Sequence, residues 1–180
     1  MLILRHAQSE WNLHFSRTRV DPGIPDPALT ASGIVQAEQA ADRLRRLQPT
    51  RILTSPYRRA LQTATILAER LDVPVHVDAT VRERHAFSCD VGSPPEWLAK
   101  EWPGIDFTGL PSHWWGTRVE SESALHGRVA AFRGTARTLD DGDRTVVVSH
   151  WGFIRALTGH EVDNATILRY DRAVGSAAPI

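Results

Sequence analysis

Apolar residues open the chain, with Met1 to Leu4 closed by Arg5, and this short run bounded by polar residues predicts a buried strand. Across LTASGIVQAEQAADRLRRLQP, residues 29–49, apolar positions recur at helical spacing; Thr30 or Ser32 could cap the start, and Pro49 lies just past the end. RILTS at 51–55 predicts a second strand and PYRRALQTATILAERLD a second helix with Pro56 at its first position, followed by a VPVHV strand. Beyond a long irregular stretch, ESESALHGRVAAFRGTARTLDDGD predicts a helix ending in a turn. TVVVSH at 145–150 is a β-branched run of the kind found in central parallel strands, and WGFIRALTG continues as a short helix. This alternation predicts an α/β layered domain around a largely parallel sheet, in which ligands bind beyond the carboxyl ends of the strands.

Chemistry concentrates at those strand ends. His6 and His150 each close a predicted strand, and if the two strands are parallel neighbours, both imidazoles emerge on one rim. Arg5 precedes the first histidine, and Arg58 and Arg59 lie in the opening turn of the helix after Ser55. Guanidinium forks bind phosphate oxygens in pairs and helix amino termini add amide donors, so this grouping predicts a site for a phosphoryl group. Zinc or iron would want carboxylate or thiolate ligands beside the histidines, whereas cations stand there.

Composition narrows the setting. At 180 residues the chain fits one domain, 1–180. Lys plus Arg equals Asp plus Glu at 21 each, which gives no one-signed field of the kind that nucleic acid or an anionic membrane requires, so anion specificity must be local. The single Cys89 cannot form an intramolecular disulfide, and no basic leader or signal core precedes the first strand, so a reducing cytoplasm is expected. No apolar run approaches the roughly 20 residues that span a bilayer.

Four segments in order resemble the histidine phosphatase superfamily, which includes the phosphoglycerate mutases: LRHAQSEWN, DPALTASGIVQA, TSPYRRALQTA and VVVSHWGFIRAL; VRERHAF is a fifth. The resemblance covers residue 2 to about residue 157 and implies a three-layer sandwich with a mostly parallel central sheet flanked by helices. It further implies a phosphatase acting on small phosphomonoesters, with no cofactor and no metal. His6 would be the nucleophile that forms a phosphohistidine, Arg5, Arg59 and His150 would hold the phosphoryl oxygens, Glu83 would be the proton donor, and Ser9 and Asn12 would add neutral hydrogen bonds. The family pattern selects Arg59 over Arg58. Two alternatives are a phosphoglycerate mutase and a non-catalytic phospho-ligand binding module; the partner in each case is a small phosphorylated molecule, and the oligomeric state is open.

Two positions depart from the pattern, which has Gly after each catalytic histidine where this chain has Ala7 and Trp151, so a narrowed pocket or a shifted pocket wall is expected. His85 and His126 are weaker site candidates; His14, His76, His113 and His160 are expected to be structural, and Cys89 a small buried hydrophobe. Residues 86–119 hold four of the six tryptophans and are expected to form a lid-like insertion, a reading compatible with a satellite hydrophobic cluster that anchors it. A further expectation is that Trp11, Trp151 and one lid tryptophan line an apolar pocket suited to an apolar or aromatic alcohol.

Overall fold

The computed structural model describes residues 1–180. Its six-stranded sheet contains β1 (Leu2–Arg5), β2 (Arg51–Thr54), β3 (Val75–Val77), β4 (Thr145–Ser149), β5 (Ile167–Tyr170) and β6 (Ala177–Pro179) in the spatial order β3-β2-β4-β1-β5-β6. The first four strands in that order are parallel, and β5 and β6 extend the sheet antiparallel beyond β1. The helices are α1 (Glu10–Thr18), α2 (Ala31–Arg45), α3 (Arg58–Leu71), α4 (Pro95–Glu101), α5 (Glu122–Thr138) and α6 (Trp151–Thr158). None is long and apolar enough to cross a membrane.

Strand alternation builds two cores. Leu2, Leu4, Ile52, Val146 and Val148 pack against Ala40, Ala41, Leu44, Ala60, Ala64 and Leu67 of α2 and α3. Ile3, Val147 and Leu168 face the other way, onto Val129, Phe132, Phe153, Ile154 and Leu157 of α5 and α6. Small Ala residues let α2 and α3 lie close to the strands, and the near-continuous apolar β1 and β4 are those expected for strands covered on both faces.

Local signals explain the boundaries. Thr30 caps α2, accepting from the Gly33 amide at 3.0 Å. α3 begins at Arg58, two residues after Pro56, with the Asp26 carboxylate accepting the Arg58 amide at 2.8 Å. Four elements lie outside the sequence-based assignment: α1, whose start is fixed by mutual capping of Ser9 and Asn12, α4 within the insertion, and the paired strands β5 and β6.

Candidate functional site

The register of the central strands places the two histidines. β1 and β4 pair in parallel with Arg5 opposite Ser149, so His6 and His150 leave adjacent strands at the same level, and their rings lie 5.0 Å apart at 55°. The His6 amide donates to the Ser149 carbonyl at 2.9 Å, and the Asn164 side chain donates to the His6 carbonyl at 3.0 Å. Both rings are almost fully enclosed, His6 being 3% exposed and His150 0%.

Hydrogen bonding assigns each ring an orientation. Nδ1 of His6 lies 2.8 Å from the Ala7 carbonyl oxygen, which can only accept, so Nδ1 carries the proton and Nε2 is left with its lone pair. Nε2 of His150 lies 2.8 Å from Ser55 Oγ, itself approached by the Tyr57 amide at 3.4 Å, so the Ser55 hydroxyl is free to donate to the ring. His150 Nδ1 is buried with no protein partner. A buried polar atom left without a partner is costly, and a polar group entering the site would satisfy it. Burial first, then Arg59 and Arg5, hold the His6 imidazole well below its ordinary pKa. Burial, Arg59, His6 and Arg5 do the same to His150. Both are neutral at physiological pH, as a nitrogen nucleophile requires.

Arg59 enters from the first turn of α3 and is 2% exposed, while Arg58 turns outward over the Trp97 ring at 5.7 Å. The Arg59 guanidinium lies over Tyr57 at 4.4 Å, donates to the Cys89 carbonyl at 2.6 Å and pairs with Asp90 at 3.2 Å. Arg5 donates from Nη1 to the Val162 carbonyl at 2.6 Å, and its buried Nε is unpartnered. Ser9 and Asn12 are joined in the α1 cap: Asn12 Oδ1 accepts from the Ser9 amide at 3.1 Å, from Ser9 Oγ at 3.0 Å and from Asn164 at 3.2 Å. The oxygen ends of both are therefore committed to the turn after His6.

Glu83 lies beyond the end of β3, and its carboxylate sits against the amino terminus of α6. It accepts from the Gly152 amide at 3.1 Å, the Phe153 amide at 3.3 Å and the Arg84 amide at 2.8 Å. Burial, with Asp90 adding to it, raises its pKa against the pull of those amides and Arg59. The approach is close: a Cβ on Gly152 would fall 2.5 Å from Glu83 Oε1.

The two departures from the glycine pattern are accommodated. Neither Ala7 nor Trp151 has a positive φ, so neither position needs the conformational freedom of glycine. Ala7 is buried, its amide donating to Thr63 Oγ1 at 3.1 Å, and Trp151 is 37% exposed beneath the Arg155 guanidinium at 5.4 Å. The expected aromatic pocket does not form. Trp11 stacks on Phe15 at 4.4 Å and donates to Asp21, Trp114 meets Tyr57 at 4.6 Å, and Trp151 opens onto a cleft of about 510 Å³ with Arg84, His126 and Arg133. Within the insertion, Leu98, Phe107 and Trp114 are buried on Tyr57 and Leu61 in a cluster of their own.

His85 bonds to the Asp90 carbonyl at 2.8 Å, His126 lines the cleft on α5, and Cys89 is buried with its thiol pKa pushed up by burial. Asn164 and Asp90 were not singled out in the sequence. Both act through contacts between distant segments, and nothing local marks them.

A parallel sheet carrying paired, neutral histidines among arginines defines a phosphoryl-handling protein of the α/β class. The sequence profile of the histidine phosphatase superfamily (branch 1) matches residues 1–174, and the chain belongs to that family. It is 34% identical to a glucosyl-3-phosphoglycerate phosphatase of Mycolicibacterium vanbaalenii, over 93% of this chain and 78% of the relative. It is 31% identical to a protein of Enterobacter sp. (strain 638) named "Probable phosphoglycerate mutase GpmB", over 82% of this chain and 67% of that one. A solved structure of a mycobacterial glucosyl-3-phosphoglycerate phosphatase complexed with VO3 superposes with a TM-score of 0.64 at 25% identity, covering 100% of this chain and 95% of that one.

Proposed function

We propose that this protein is a phosphomonoesterase that hydrolyses small phosphorylated molecules through a phosphohistidine at His6, with the whole chain acting as one domain and residues 86–119 as a packed cover beside the site. The observation that carries this reading is the His6 ring itself: Nδ1 is tied to the Ala7 carbonyl and Nε2 is unprotonated, with the unpartnered Nδ1 of His150 in the adjacent ring.

Each half-reaction has a residue for every proton. His6 Nε2 forms a bond to phosphorus as the ester P–O bond breaks, and Glu83, whose pKa burial raises above the ordinary carboxylate value, gives its proton to the departing alkoxide. Water then attacks phosphorus, Glu83 takes its proton, the P–N bond breaks, and inorganic phosphate leaves His6 neutral. Arg5, Arg59 and His150 hold the equatorial oxygens, while Ser9 and Asn12 fix the turn beyond His6 and leave the Asn12 amide nitrogen to reach the phosphate. Arginine charges beside both histidines disfavour a divalent metal there, so the reaction is read as metal-independent. The lone, buried Cys89 fits a cytoplasmic setting.

The test is hydrolysis of p-nitrophenyl phosphate and a panel of natural phosphomonoesters in chelator, with glucosyl-3-phosphoglycerate included because relatives carry that name. The expected result is turnover that the His6→Ala variant loses together with acid-labile 32P labelling. Activity near the parent level in that variant would remove His6 from the mechanism, and isomerisation of phosphoglycerate without phosphate release would favour the mutase.

A further inference from the structure

Arg59 and Glu83 come from different parts of the chain, yet the reaction needs them at a fixed separation, one on the phosphoryl oxygens and the other on the leaving oxygen. One buried side chain bonds both Arg59 and the backbone three and four residues beyond Glu83. Asp90, 1% exposed, places Oδ1 at 3.2 Å from Arg59 Nη2, while Oδ2 accepts the amides of Ala86 and Phe87 at 3.0 Å each. Its backbone oxygen accepts from the Tyr57 hydroxyl at 2.7 Å and bonds the His85 ring at 2.8 Å. Asp90 thus ties the start of α3 to the segment that runs on from Glu83, and it is bonded to neither His6 nor His150.

We propose that Asp90 is a positioning residue for phosphoryl transfer, setting the guanidinium of Arg59 and the backbone following Glu83 relative to each other through one buried carboxylate. The inference rests on the roles given above to Arg59 and Glu83. A buried guanidinium with a single carboxylate partner is held in one orientation, because any other would leave the charge uncompensated. Arg59 also keeps the Cys89 carbonyl, so the same turn is gripped twice.

A double-mutant cycle between Asp90→Asn and Arg59→Met tests the proposal, with folding checked by near-UV circular dichroism and rates normalised to the folded fraction. Asp90→Asn is expected to lower kcat/KM for p-nitrophenyl phosphate by about a hundredfold, the scale of losing one oriented transition-state donor. In the Arg59→Met background, the same change is expected to cost less than about threefold, since residues that act through one another are non-additive. Asp90→Glu, which keeps the charge on Arg59, is expected to recover at least about tenfold of the loss, and it also serves if Asp90→Asn does not fold. Equal losses in both backgrounds, or no advantage of Glu over Asn, would overturn the proposal. If the parent protein shows no His6-dependent hydrolysis, the reading of the site fails instead, and the two failures are distinct.

Discussion

Gly152→Ala separates catalysis from stability more sharply than removing Glu83 would. The added Cβ would meet Glu83 Oε1 at 2.5 Å, so the carboxylate must retreat by about 0.9 Å to reach the 3.4 Å of ordinary contact. The atom that moves is the far end of a flexible side chain, so the backbone need not shift, though its amide hydrogen bonds must lengthen. Alanine in the first turn of α6 gains roughly 0.5–1 kcal/mol over glycine, and the lengthened amide bonds from Gly152 and Phe153 cost on the order of 1–3 kcal/mol together. Net stability therefore changes by less than about 2.5 kcal/mol. Catalysis is less tolerant: a misplacement of about 1 Å costs about a hundredfold, some 2.7 kcal/mol of barrier. The loss should appear on alkyl phosphomonoesters, whose alkoxide needs a proton, and be about tenfold or less on p-nitrophenyl phosphate, whose phenolate does not. The assay is kcat/KM for both ester types, which reads the phosphorylation half-reaction, with the thermal midpoint recorded alongside. Equal losses on the two esters, or unchanged rates with the carboxylate displaced, would refute the role of Glu83.

Two further outcomes are expected. His6 and His150 are held below the roughly 6.5 of an unfolded imidazole, so the unfolded chain binds more protons once pH drops under that value; stability should be constant above it and fall as pH decreases toward the folded pKa values, by up to about 1.4 kcal/mol per unit per histidine. Urea unfolding at pH 7.5, 6.5 and 5.5 measures this against the opposing contribution of Glu83, whose raised pKa favours the folded state as pH falls; a His150→Gln variant should show a shallower loss than the parent, and equal slopes in the two would contradict neutral burial of His150. Trp151→Gly should leave kcat/KM for p-nitrophenyl phosphate within about threefold, because position 151 has an ordinary φ and its ring faces the outer cleft; a hundredfold change in either direction would show that the ring reaches the substrate.

The histidine pair was legible because a parallel sheet converts sequence position into spatial position: two apolar runs that each end in histidine must, as neighbours, deliver both rings to one edge, and the Arg5–Ser149 register does so. Arg59 was separable from Arg58 only through the family pattern, and the structure turns the first inward and the second over Trp97. The antiparallel strands β5 and β6 and helix α1 escaped because their patterns are short: α1 buries Trp11 alone, and its stability comes from the Ser9–Asn12 cap rather than an apolar stripe.

What was not legible shares one property. The Ala7 carbonyl that fixes the His6 tautomer belongs to the backbone, Asn164 reaches the His6 carbonyl across 158 residues, and Asp90 meets Arg59 across 31. Periodicity reports which face a side chain occupies, and a motif reports which groups react; neither reports what holds a reacting group in one orientation. In this chain the two histidines proposed to act on the phosphoryl group follow strand ends, and the groups that orient their surroundings arrive from the cap of α1, the segment after Glu83 and the turn before β5. Catalytic precision here therefore depends on tertiary packing of segments that the sequence pattern alone leaves irregular, and substitutions in those segments should alter rate before they alter fold.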